Sequence, residues 1–206
     1  MVVRLREKNI GKLLEDYGKL YSTQLGIDLE TKSEKEIFKW FLASILFGKR
    51  ISEKIAANTY KKFVEAGITT PQKILEAGWQ KLVDLLDAGG YVRYDFSTAD
   101  KLLDISKELL NKYGNEPLNK IHSIAKNPLG LEAKLQKFKG IGPVTTNIFL
   151  RELRHVWEKA DPEPLPIVKK VAKIYNIDLK KFNRKTKQFV KLEAALIRLR
   201  KTKNIN

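Results

Sequence analysis

The groups in this chain best placed to do chemistry are main-chain amides. In Phe138-Lys139-Gly140-Ile141-Gly142-Pro143-Val144-Thr145 two glycines stand in three positions. That spacing permits a tight reversal at backbone angles other residues resist. Ile141 between them is an apolar pin, and Pro143 suits the first turn of a helix, where its missing N–H costs nothing. The turn therefore feeds a helix N-terminus, whose first amides have no partner inside the helix and whose dipole favours an anion. Phosphate is the natural ligand, with the amides of Gly140, Gly142 and Val144 as donors. Such a contact positions a nucleic-acid backbone and reads no base. A plain helix corner with a glycine cap uses the same residues, so the rest of the chain has to decide.

Charge weighs on the side of a polyanion. The 206 residues carry 40 Lys+Arg against 24 Asp+Glu, a formal net charge of +16. From 169 to the end, 13 basic residues face only Asp178 and Glu193, so much of the excess lies in the last fifth. Nucleic acid ranks ahead of a membrane surface as partner, with a merely solubilising surface as the plain alternative. There is no Cys, which excludes disulfides, thiolate-held iron–sulfur clusters and Cys-type zinc sites. His122 and His155 are the only histidines, too few for a multi-His metal centre, and no metal site is expected. No apolar run is long enough to span a membrane, and MVVRLREKN lacks a signal-peptide core. The expectation is a monomeric intracellular protein, cytoplasmic or nucleoid-associated, with no membrane partner.

Helices must position the hairpin, because strand alternation and hairpin dipeptides are missing. Ser33 and Glu36 form a capping-box pattern ahead of Ile37, Phe38, Phe41, Leu42, Ile45 and Leu46, a wide apolar face stopped by Gly48. Thr70-Pro71 caps a later helix, Gly78 and Gly89-Gly90 punctuate two short ones, and Ser97 with Asp100 repeats the capping logic. Pro117 and Pro128 bound another. This predicts an all-α protein of about ten helices in two lobes. One lobe spans 33–128. The other joins 1–32 to 129–206 and carries the hairpin at 131–155 and a basic C-terminal helix.

The hairpin resembles the helix-hairpin-helix of the endonuclease III-like (HhH-GPD) DNA glycosylase superfamily. Phe41-Leu42-Ala43-Ser44-Ile45-Leu46 is similar to that family's first core helix, and Gly89-Gly90-Tyr91-Val92-Arg93 is similar to its Gly-Tyr stretch, followed here by Ala99-Asp100-Lys101. The likeness runs over about residues 36–176 and lies in element order more than in identity. It implies base excision: DNA containing a damaged or mismatched base is bent, the base is flipped out, and its bond to the sugar is cut. The acid that supports the sugar's developing charge would be Asp161, 21 positions after Gly140. Strict spacing before Lys170-Val171 selects Leu165 instead, so Pro162-Glu163-Pro164-Leu165-Pro166 reads as a local insertion with Glu163 in reserve. Bifunctional relatives carry a lysine where this chain has Val144, which implies a monofunctional enzyme that uses water. The resemblance also implies a monovalent cation at the hairpin; many relatives hold an iron–sulfur cluster on four cysteines, and this chain departs from them in having no Cys, so no cluster is expected. Lys139, Gly140, Gly142, Val144 and Thr145 become DNA contacts, and Lys49 or Arg50 would fill the gap left by the flipped base.

Two rivals stand beside this expectation. One is a helix-hairpin-helix protein that binds DNA without chemistry. The other is a bifunctional glycosylase and abasic-site lyase using a displaced lysine. Tyr91, Tyr94 and Phe96 are candidates for stacking on a base, with core packing as the alternative. Trp40 reads as a core residue or as lining for the cleft between lobes. Arg151, Arg154 and His155 read as phosphate contacts or as members of an ion-paired surface.

Overall fold

The structure, a computed structural model, describes residues 7–202. Eleven α-helices follow one another, and no strand occurs among the described residues. They are α1 (Glu7–Tyr17), α2 (Tyr21–Gln24), α3 (Glu34–Phe47), α4 (Glu53–Glu65), α5 (Pro71–Ala88), α6 (Asp95–Tyr113), α7 (Pro117–Ile124), α8 (Pro128–Leu135), α9 (Pro143–Glu152), α10 (Pro166–Ile174) and α11 (Lys187–Thr202). The protein is all-α.

Local signals explain several starts. Ser33 accepts from the Glu36 amide, Ser52 from Ile55, Thr70 from Lys73 and Asn127 from Gly130, each filling one of a helix's bare donors. Pro71, Pro117, Pro128, Pro143 and Pro166 all stand in a first turn. The Ser33–Glu36 box is only half formed, because the Glu36 carboxylate turns away to the Asp28 amide, 3.0 Å. α5 is broken at Gly78, whose φ of 71° and ψ of 171° leave the helical region. α6 begins at Asp95, earlier than Ser97 and Asp100 suggest. Ser97 donates back to the Tyr94 carbonyl, and Asp100 accepts from the Trp79 indole, so neither caps a helix.

Two apolar clusters hold the helices together. The larger runs from Leu20 to Ala160, with Val190 and Ala194 of α11. It takes in the hairpin residues Leu131, Leu135, Phe138, Ile141, Phe149 and Leu150 as well as the helices of 33–128. α3 is its spine: Ile37, Trp40, Leu42, Ala43 and Leu46 are fully buried, and the Trp40 indole donates to the Phe149 carbonyl of α9 at 3.0 Å. The smaller cluster joins Leu13 of α1 to Val168, Val171 and Ala172 of α10 and Leu192, Ala195, Leu196 and Leu199 of α11. α9 is thus fastened to α3 from within, which fixes the direction in which the hairpin's amides point. No helix among the described residues is long and apolar enough to cross a membrane.

Candidate nucleic-acid interface

The reversal between α8 and α9 is built by three residues. Ile141 is 3% exposed and donates its amide to the Phe138 carbonyl at 3.0 Å, closing the turn onto the core. Gly140 takes a φ of 83°, the left-handed region where a side chain is strained. Gly142 is the N-cap of α9 and offers no side chain to its first turn. The first amide of α9 with a backbone acceptor is that of Thr146, bonded to Gly142 at 3.0 Å. Among the described residues, no acceptor takes the amides of Gly140, Gly142, Val144 or Thr145. Val144, 52% exposed, leaves this end of the helix open.

The turn after α3 lies against the same corner. A side chain at Gly48 would collide with the Thr145 hydroxyl, so the end of α3 and the start of α9 meet through a glycine. Thr145 is therefore buried, with its side chain turned to protein; its amide alone is available to a ligand. Lys49 follows directly, half-buried, with its Nζ 5.3 Å from the Tyr94 ring centre, while Arg93 lies 5.4 Å from that ring. Arg50 and Lys139 are exposed. Lys101 of α6 completes the group: the end of its chain lies across Gly140, where a Cβ would collide with it. Burial, and after it the neighbouring Lys49 amine, push the Lys101 amine down to about 8. Lys49, Lys101, Gly140 and Thr145 are brought together. The sequence gives no spacing signal for Lys101, because it reaches the hairpin from an element nearly forty positions away.

Asp161 occupies different surroundings. Its Oδ1 accepts from Arg154 Nη1 and, at 2.9 Å, from Arg184 Nε. Arg154 is fully buried, and its remaining donors go to the Pro162 carbonyl and to Glu193, with Nε–Oε2 at 2.8 Å. Arg184 reaches the Asp161 and Pro162 carbonyls at 3.0 and 3.1 Å and pairs with Glu163. Lys185 caps the carbonyls of Trp157, Glu158 and Ala160 at 3.1, 2.6 and 2.9 Å. The segment 157–163 is thus clamped by three cations, and Asn147 of α9 ties it to the hairpin helix through the Glu163 carbonyl, 2.7 Å. Among the described residues no contact joins Asp161 to the group around Gly140. Arg184, Lys169 and their hydrogen bonds hold the Glu163 carboxyl down at about 2.

Several other candidates serve the architecture. Tyr91 is fully buried and donates to the Leu46 carbonyl at 2.7 Å, so its ring is core. Phe96 is 58% exposed and packs on Trp79 with ring centres 5.4 Å apart. Trp40 is core. Arg154 is consumed by its ion pairs, and Arg151 lies buried 5.5 Å from the Tyr21 ring centre. His155 bonds Glu30 at 3.0 Å; His122 stacks on Trp157 at 4.6 Å, and burial lowers its pKa. No group of three His, Asp or Glu residues is arranged to hold a metal among the described residues. Set against protein-family models, curated proteins and solved structures, the chain gives no match.

Proposed function

We propose that this chain binds duplex DNA through the 136–145 hairpin and excises a damaged or mismatched base, as a glycosylase of the helix-hairpin-helix kind. The observation that carries the reading is the meeting of four amides without an acceptor and two lysines without a carboxylate partner among the described residues. Unpaired donors beside unpaired cations favour a dianionic or polyanionic ligand. DNA phosphates supply this charge, and the net charge of +16 supplies the long-range attraction. Excision is supported by the order of elements around the hairpin and by an acidic, proline-rich segment tied to α9. In this reading Asp161 faces the sugar as its bond to the base breaks and stabilises the positive charge that develops.

One observation favours binding without excision. Two guanidiniums already bond one carboxylate oxygen of Asp161, Oδ1, so a sugar must be met by the other oxygen or after DNA displaces Arg184. A panel of duplexes, each with one oxidised, alkylated, deaminated or mismatched base, separates the two. Excision predicts base release from one class, with strand scission only after alkali or heat. It also predicts that Asp161→Asn slows release by about 10²-fold or more while duplex affinity stays nearly unchanged. Intact duplexes across the panel, despite tight binding, would leave the protein a DNA-binding module.

A further inference from the structure

Two amines meet in front of the hairpin with no acid between them. Lys101 crosses Gly140, and the Lys49 amine is near enough to push its pKa down. Like charges in contact repel, and the arrangement is favourable only when one amine loses its proton or an anion lies beside both. The surrounding charged groups do not supply that anion. Asp100 on α6 is bonded to Trp79, and Asp95 accepts from the Phe96 amide at 2.6 Å beside Asp87 of α5. Arg93, another cation, lies 5.4 Å from the Tyr94 ring centre, and Lys139 in the hairpin is exposed. Among the described residues, Lys49 is the charged group that acts on the Lys101 amine; Asp84 on α5, Asp104 on α6, and Lys120 and His122 on α7 do not.

We propose that Lys49 and Lys101 form a paired-amine site for one phosphodiester group of DNA beside the hairpin. The inference rests on the DNA-binding reading and deepens it, because it assigns Lys101 a role and makes binding proton-linked. A phosphate between the two amines favours the charged form of both. The free protein holds Lys101 about half neutral near pH 8, since its amine titrates at about 8. Binding therefore draws protons from solution, and affinity falls as pH rises from 7 to 9. If the bound state holds Lys101 fully charged, the loss over that interval is about tenfold. Lys101→Arg keeps the charge at every pH, and Lys101→Met removes it.

The experiment is a titration of a fluorescent 20-base-pair duplex with the full chain at fixed ionic strength from pH 7 to 9. Calorimetry at pH 8 in two buffers of different ionisation heat accompanies it. The expected result is a fall of about tenfold for the native chain, uptake of roughly half a proton per complex, and a flat profile for both variants, with Lys101→Arg the tighter of the two. A flat native profile with sound binding overturns the inference and leaves the DNA reading intact. A profile that persists in Lys101→Arg or Lys101→Met overturns it as well. Proton uptake of the same size with inorganic phosphate alone would reassign the site to free phosphate. No duplex binding at any pH would remove both readings.

Discussion

Arg154 shows how a side chain suited to phosphate can be withdrawn from it. It has no exposed surface, and its donors are shared among Glu193, Asp161 and the Pro162 carbonyl. Removing one partner of such a group leaves a buried charge uncompensated, which costs about 3–5 kcal/mol. Arg154→Met should lower unfolding stability by that amount in a urea titration, and Arg154→Met with Glu193→Leu should recover most of it. An unchanged midpoint in the single variant would contradict the network. Glu163 gives a weaker, pH-dependent effect. Its folded pKa of about 2 lies below the ordinary carboxylate value, so the stability it adds is present above pH 4.5 and is lost as pH falls through 2. The group is 69% exposed, so screening keeps the contribution under about 1 kcal/mol. Glu163→Gln should flatten that part of the acid-unfolding curve. Arg184 could not be assigned to Asp161 from the sequence, nor Glu193 to Arg154, because the partners lie 23 and 39 residues apart and no helical period links them. Asp161 stood out in the sequence as an acid near the proline run; the guanidiniums that bond its Oδ1 did not.

At the level of helices, two carboxylates act as caps from a distance. α2 begins after Leu20 and α7 after Glu116, neither of which caps its own helix. Glu152 of α9 accepts from the amides of Tyr21 and Ser22, both at 2.9 Å, and Glu34 of α3 accepts from Leu118 and Asn119, both at 2.9 Å. Each supplies negative charge where the helix dipole wants it. Glu152→Gln, at a site 1% exposed, should cost about 1–3 kcal/mol. It should also speed hydrogen exchange at Tyr21 and Ser22 before the rest of the chain. Equal exchange at those two amides would count against the cap. Sequence patterns identified the helices whose caps are local, such as those after Ser33 and Thr70. They misplaced the start of α6, where Ser97 and Asp100 bond elsewhere. Long-range caps leave no pattern, because the acid and the helix it serves are brought together only by packing.

Over the whole molecule, the cationic excess divides into two uses. Near the C-terminus much of it is internal: Arg184 and Lys185 clamp 157–163, Lys187 pairs with Glu30 at 2.7 Å, and Arg198 donates to the Tyr17 carbonyl and to Gln24. The concentration of charge after 169, conspicuous in the sequence, is thus partly structural. Lys49 and Lys101 are the opposite case: far apart in the sequence, they meet at the hairpin with no carboxylate partner among the described residues. Binding that neutralises DNA phosphates releases counterions, so log affinity should fall linearly with log salt. Loss of Lys101 should make that slope shallower by about one unit at pH 7. The hairpin itself was legible because Gly140, Ile141, Gly142 and Pro143 each do what their chemistry dictates within one turn. The distinction between hairpin and tail also gives the most direct test. Amide resonances of the isotope-labelled chain can be followed while duplex DNA is added at moderate salt. The account predicts the earliest and largest shifts at Gly140, Gly142, Val144 and Thr145, with Lys49 and Lys101 next; shifts centred on α11 with an unmoved hairpin would contradict it.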